Sequence, residues 1–446
     1  MLLCNSPIIT CDSETRVVDR GWLRTRGNVI AALGDGAPPA PKPGERVIDC
    51  EGAVLLPGLV NTHVHSFQTL LRGYYDHLPL LEYLRYVYRC GEELTAEDAR
   101  SSGRLAAMEA LRSGVTTLVD HHFLNRTPEL AAATIEGARS VGVRMVLART
   151  SMDCGDGLPA AIKEQPERAA ANTDELMRVF RRSIDDGTVH VMSGANTPGI
   201  NASAALVREI SAYAADRGLT CSSHVAEYAE VRSAVRNDYG IDGVVRWLAT
   251  LGALGPRLLA VHAVHVDSSE IELMREAAVS VSHNPFSNLF CGPTTAPVSD
   301  YLAAGLRVGL GTDGAANNNG LDIFDAARIT RILERANPER AGISVAQTLQ
   351  LATSNGAKAL GLDHMIGSLE PGKRADIVAV GTDAPHMTPM FVPDRHIAYF
   401  GKGSDARHVI ADGELVVEDG VFVRHDAVGS RRTADECARA LVARLG

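Results

Sequence analysis

The feature that most constrains this chain is a repeated unit in its middle. A short apolar, β-branched run closes in polar or small residues, and a helical stretch rich in Ala, Leu and Arg follows. Eight such runs fall at 54–65, 115–122, 143–151, 190–198, 219–224, 258–262, 279–283 and 308–313. Helix-patterned segments lie between them, among them 96–112, 130–140, 173–185, 203–217 and 268–277. The runs are nearly continuous in apolar residues, as strands covered on both faces must be. Eight strands alternating with helices predict an α/β fold, a parallel (β/α)8 TIM-type barrel.

The two ends follow another pattern. Short alternating strands are expected at 7–11, 21–26, 29–33 and 46–49, and again at 375–380, 397–399, 406–411, 414–418 and 422–424. Asp412-Gly413 and Asp419-Gly420 supply hairpin turns, because Asp and Gly tolerate the left-handed backbone that such turns need. Both ends can therefore pair into one small β-sandwich domain, residues 1–56 plus 367–446 with a C-terminal helix, beside a barrel at 57–366. Length alone, 446 residues, would suggest about three domains. The motif map gives two.

Composition removes several classes of function. Lys plus Arg total 44 against 54 for Asp plus Glu, a net charge of −10. Binding a phosphate backbone needs a basic patch, so no nucleic-acid partner is expected. No apolar run reaches the length of about 18 residues that a membrane helix requires, and no membrane partner is expected. The opening Met-Leu-Leu-Cys-Asn-Ser-Pro lacks the basic and long apolar parts of a signal peptide. Eight scattered cysteines without a Cys-x-x-Cys pair read as reduced, mostly buried thiols. Both observations predict a cytoplasmic protein.

Histidines and acids gather where the runs end, the edge at which barrel enzymes carry their chemistry. The first run closes in Asn-Thr-His63-Val-His65, and residues two apart on a strand face the same side. The fifth closes in Ser-Ser-His224-Val-Ala-Glu227, and the eighth in Gly-Thr-Asp313-Gly. Three imidazoles and one carboxylate suit a borderline cation such as Zn2+. A bound Zn2+ lowers the pKa of its water toward about 7, and Asp313 can take the proton released. Glu227 follows the strand end and can move a proton to a ring nitrogen or leaving group. His262, in Val-His262-Ala-Val-His265, is expected to polarise the attacked carbon's substituent or hold the water, with His265 further into the loop. His283, in Ser-His283-Asn-Pro-Phe-Ser-Asn, is expected to point into the barrel mouth and bind substrate. His121 and His122 end the second run and could line the pocket. A two-metal barrel site uses a carboxylated lysine at the fourth strand. None of the five lysines ends a run, so one divalent ion is expected.

Taken together, Pro-Gly-Leu-Val-Asn-Thr-His63-Val-His65, His224-Val-Ala-Glu227, His262-Ala-Val-His265, His283-Asn-Pro and Gly-Thr-Asp313-Gly resemble the amidohydrolase superfamily. The branch they resemble holds adenosine and S-adenosylhomocysteine deaminases, guanine deaminase and triazine hydrolases. The resemblance spans nearly the whole chain, including the late Gly367-Ser-Leu-Glu-Pro-Gly-Lys-Arg-Ala-Asp-Ile-Val378. It implies that His63, His65, His224 and Asp313 bind one metal ion, usually zinc with Fe2+ as an alternative. It implies proton-transfer and water-orienting roles for Glu227 and His262. It also implies that Glu82, in Pro-Leu-Leu-Glu82-Tyr-Leu, contacts ribose hydroxyls and that Gln68 contacts the heterocycle, with the 69–79 stretch fitting the same branch. Where adenosine-type enzymes carry a purine-contacting His after the fourth strand, this chain has Asn196, an amide in place of an imidazole. Phe286 and the run Asn317-Asn-Asn319 also depart from the pattern.

The expected function is metal-dependent deamination of a nitrogen heterocycle, a purine, adenosine-like or pterin-like compound. The alternative is displacement of chloride or an alkylamine from an s-triazine, with cyclic-amide hydrolysis and a non-catalytic barrel behind it. The resemblance also implies a homo-oligomer.

Overall fold

A computed structural model describes the chain except residues 75–79, 293 and 317–319. Part of the 69–79 stretch and the whole Asn317–Asn319 run therefore lie outside the described residues. Seven parallel strands, Leu59–His65, Val115–His122, Arg144–Ser151, Val189–Ala195, Cys221–Val225, Leu258–His262 and Ser280–His283, are hydrogen-bonded in chain order. The eighth strand comes in two pieces, Arg307–Leu310 beside the seventh and Asp313–Gly314 beside the first. That switch closes the barrel, with Val64 opposite Asp313. Strand residues such as Val60, Val119, Val146, Ala148 and Leu259 fill its interior.

Helices cover the outside, and their starts follow local capping chemistry. Thr95 and Asp98 form a reciprocal cap on helix Ala96–Arg112, and Asp267 with Glu270 does the same for Ser268–Glu276. Gly194 lets the fourth strand pass close to the fifth, because a Cβ there would lie 1.9 Å from the Ser222 carbonyl.

The chain ends meet in a second, largely antiparallel nine-stranded sheet. Its outermost N-terminal strand, Val29–Asp35, returns to residues 372–373 through Ile30 N–H to the Lys373 carbonyl and Gly372 N–H to the Ile30 carbonyl. Leu3, Ile8, Leu23 and Ile30 thus share one core with Ile377, Ala379, Ile410 and Leu415. Both Asp-Gly pairs adopt positive φ and turn hairpins, as expected of that turn type.

Three details differ from the sequence reading. The 54–65 run divides at Gly58, with Ala53–Pro57 joining the small sheet and Leu59–His65 the barrel. The short 397–399 run is not a strand but part of helix Pro393–Phe400, where Pro393 supplies a preorganised first turn. Three apolar residues alone cannot distinguish the two periods. The C-terminal helix Ala427–Leu445 packs its Ala434, Leu441 and Leu445 on the barrel side, against the cluster holding Phe67, Tyr83 and Val87.

Candidate active site

The C-terminal ends of the barrel strands converge on one buried cluster. His63 and His65 leave the first strand, His224 the fifth, His262 the sixth and Asp313 the eighth. Imidazole nitrogens of His63, His65 and His224 lie within 4.8 Å of one another, and so do ligand atoms of His63, His262 and Asp313. Asp313 Oδ1 stands 3.2 Å from His65 Nε2 and 3.5 Å from His63 Nε2. His262 and Asp313 sit in the left-handed region, at φ 71° and 59°. Non-glycine residues pay for that conformation, and both lie where the strand must turn a side chain inward.

The hydrogen bonds around this cluster leave ligand positions open. His65 Nδ1 donates to the His121 carbonyl at 2.7 Å, so its Nε2 carries a lone pair facing the cluster. His63 is wholly buried, and neither ring nitrogen has a hydrogen-bond partner among the described residues. Leaving two such atoms dry and unpaired costs free energy that a bound cation would recover. Burial holds His63 down to about 3 although the Asp313 carboxylate beside it opposes the shift, and burial likewise holds His224 well below the usual imidazole range. These rings are therefore neutral, the form that binds metal. Burial alone would raise the Asp313 carboxyl, but the His63, His65 and His262 imidazoles beside it outweigh burial and keep it ionised. Three neutral imidazoles and a carboxylate fit a divalent cation.

Glu227 and His262 adjoin this cluster. Glu227 Oε1 lies 3.4 Å from His262 Nε2, and Asp313 Oδ2 lies 3.8 Å from the same nitrogen. Burial pushes the Glu227 carboxyl up to about 7, with His262 opposing and Asp313 reinforcing the rise. His262 Nδ1 donates to Asn288 Oδ1 at 2.8 Å, which leaves Nε2 as the acceptor that faces Glu227. The Ser287 hydroxyl donates to Asp313 Oδ2. Asn288 and Ser287 were not singled out as functional from sequence, although they stand in the Ser-His-Asn-Pro-Phe-Ser-Asn run after the seventh strand.

A cavity of about 500 Å3 opens above the cluster. His65, His224, Glu227 and Asp313 form its floor, and Gln68, Glu82 and Asn196 line it too. Tyr83, Tyr88, Phe123 and Tyr228 supply aromatic walls that sequence reasoning missed. The Tyr83 hydroxyl donates to Gln68 Oε1 at 2.8 Å. A Cβ at Gly314 would lie 1.7 Å from the same oxygen, so a larger residue there would displace the Gln68 amide. Glu82 is exposed at the rim. His283 is buried behind His262, outside the cavity lining. His122 is buried beside Arg149, and His265 lines a neighbouring depression with Thr294.

The profile of the amidohydrolase family matches residues 54–416, which include all of these strand ends. The chain belongs to this family. Among curated relatives, a 5'-deoxyadenosine deaminase of Methanosarcina mazei is 32% identical, over 100% of this chain and 99% of its own. A 5-methylthioadenosine/S-adenosylhomocysteine deaminase of Natronomonas pharaonis is 36% identical, over 93% and 92%. Among solved structures, an adenosine deaminase from Xanthomonas campestris with bound zinc superposes with a TM-score of 0.90 at 26% identity, covering 99% of this chain and 98% of that one. Atrazine chlorohydrolase from Arthrobacter aurescens, complexed with zinc, gives 0.89 at 25% identity over 98% and 99%. This amidohydrolase is a metal-dependent hydrolase of carbon–nitrogen bonds acting on a small molecule. No helix among its described residues is long and apolar enough to cross a membrane.

Proposed function

We propose that this amidohydrolase is a zinc-dependent deaminase of an adenosine-like nucleoside. The observation that carries the reading is the buried group His63, His65, His224 and Asp313, set beside a carboxylic acid, Glu227, held near neutral pKa. Deaminase relatives aligned over nearly the full chain favour ammonia release over the chloride displacement named for the structural neighbour.

His63, His65, His224 and Asp313 would hold one divalent ion, which supplies an activated water and charge for the developing oxyanion. Asp313, ionised and 3.8 Å from His262 Nε2, accepts the water's proton and later passes it to the leaving amine. Glu227, raised to about 7, holds its proton in part of the molecules at neutral pH and gives it to the ring nitrogen beside the attacked carbon. The carbon–nitrogen bond to the exocyclic amine then breaks, and ammonia leaves. His262, its tautomer set by Asn288, holds the water's position through Nε2. Gln68 and Asn196 address the heterocycle, and Glu82 at the rim meets the ribose hydroxyls. His283, expected to bind substrate, is buried and does not line the cavity.

For the chain's organisation we infer a barrel at 57–366 and a small domain from 1–56 and 367 onward, with the last helix serving the barrel. The eight scattered free cysteines carry our inference of a cytoplasmic protein, and the family resemblance that of a homo-oligomer, which fractionation and light scattering test.

The function is tested by an ammonia-release screen of the zinc-loaded protein over 5'-deoxyadenosine, 5-methylthioadenosine, guanine, pterins and amino- and chlorotriazines. Ammonia from a nucleoside at the highest kcat/KM is expected. Chloride release from a triazine with no ammonia from any nucleoside would overturn it.

A further inference from the structure

A fifth imidazole belongs to the buried cluster and, like His262, lies outside its ligand set. His121, at the end of the second strand, is fully buried, and its ring lies tilted against that of His224 with centroids 4.2 Å apart. Its ring centroid lies 5.1 Å from that of His63 and 5.5 Å from that of His65. Unlike His63, it has both nitrogens engaged. Nδ1 meets the Ser222 hydroxyl at 3.1 Å, and Nε2 meets Asn196 Oδ1 at 3.0 Å. A buried neutral imidazole with both nitrogens hydrogen-bonded has no lone pair left for a metal. Its function is therefore to be sought in what it holds.

It holds Asn196, which lines the cavity. Rotation of the amide by half a turn would exchange donor for acceptor, so its orientation decides what the site offers a ligand. Here two groups converge on Oδ1, His121 Nε2 at 3.0 Å and the Thr150 hydroxyl at 3.4 Å. The amide nitrogen has only longer contacts, to Met152 Sδ at 3.5 Å and Thr197 Oγ1 at 3.4 Å. Because Oδ1 can only accept, Nε2 of the neutral ring donates, and Nδ1 then accepts from the Ser222 hydroxyl.

We propose that His121 is a positioning residue that locks the Asn196 amide with its NH2 toward the substrate cavity, so that the site selects rings presenting a hydrogen-bond acceptor there. A purine ring nitrogen or a ring carbonyl meets that demand. A ring presenting N–H at the same point would face a donor and be rejected, because a buried donor pair leaves both groups unsatisfied. The inference rests on the deaminase reading above.

The test uses the zinc-loaded holoenzyme with 5'-deoxyadenosine, measuring kcat and KM separately alongside metal content per chain. Asn196→Asp turns the donor into an acceptor and is expected to lower kcat/KM by about 100-fold with full metal content. His121→Phe keeps the ring volume, removes the lock, and is expected to raise KM about tenfold with kcat within about twofold. His121→Gln, whose amide can donate to Asn196 Oδ1, is expected to recover most of that loss. Calorimetric titration with 5'-deoxyinosine should show the same ranking of affinities without turnover. Wild-type behaviour of Asn196→Asp would overturn the proposal. So would loss of metal from His121→Phe, or a His121→Gln variant no better than His121→Phe. If the wild-type protein releases no ammonia from any nucleoside, the deaminase reading itself has failed. Unchanged variants of an active wild type defeat the positioning role alone.

Discussion

The floor and the rim of the cavity are built on different terms. On the floor, His63, His65, His224 and Asp313 project from strand ends inside a closed barrel, and each is almost fully buried. At the rim, Glu82, Tyr83, Arg85, Val87 and Tyr88 come from one helix, Leu80–Glu93, outside the barrel. That helix is fastened by the far end of the chain. Arg89 donates to the Leu445 carbonyl at 2.6 Å, Arg444 donates to the Glu93 carbonyl at 3.2 Å, and Arg444 also pairs with Asp98. Rigid strands thus fix the reacting groups, whereas a helix held by a distant segment shapes what can enter. Floor variants should change kcat, and rim variants should change KM.

The largest effect belongs to the metal ligands. His65→Ala or Asp313→Ala should lower kcat/KM by at least about 10^4-fold and reduce bound metal measured by atomic emission. Chelation of the wild type should abolish activity, and zinc should restore it. A ligand variant that kept both metal and turnover would remove the distinction between floor and rim.

Glu227→Gln comes next, with a loss of about 10^2- to 10^4-fold in kcat and little change in KM. Its pH profile carries the sign. Burial raises the Glu227 carboxyl to about 7, so the acid form predominates below that pH and disappears above it. The wild-type kcat/KM should therefore fall as pH rises through about 7, and the Gln variant should lack that limb. A basic limb retained in Glu227→Gln would assign it to another group.

Much of the floor was legible in the sequence because it is local. A strand repeats every two residues, so His63-Val-His65 already states that both rings face one way. The closing polar residues of each run mark the strand ends, which the barrel then gathers. What was not legible depends on contacts between distant segments. Asn288 fixes His262 across 26 positions, and Arg444 reaches Asp98 across 346. Neither partner carries a local pattern that announces the other. The C-terminal helix illustrates this, since its amphipathic pattern shows that one face is covered without showing by what.

A third prediction concerns the joint between barrel and small sheet, where the effect should fall on stability alone. Arg144, on the third strand, is 1% exposed in its side chain and pairs with Asp376 at 2.9 Å while donating to the Gly187 carbonyl at 2.7 Å. Arg144→Ala strands a buried carboxylate and should cost about 3–5 kcal/mol, read from denaturant unfolding. The kcat/KM of the folded fraction should stay within about twofold. A large kinetic defect would mean that the sheet reaches the floor of the site.

The smallest effect is expected from the fastening of the rim. Arg444 is partly exposed, so its pair with Asp98 contributes modestly to stability. Its influence on substrate is geometric, because the helix it holds carries six lining residues. Arg444→Ala should raise KM about two- to fivefold for a nucleoside and leave kcat within about twofold. Removing residues 427–446 deletes the Arg89 contact as well and uncovers the Tyr83 and Val87 cluster, so a larger rise in KM with the same metal content is expected. If Arg444→Ala instead lowered kcat at constant KM, the C-terminal helix would be acting on the floor. Chemistry and selection would then share one support.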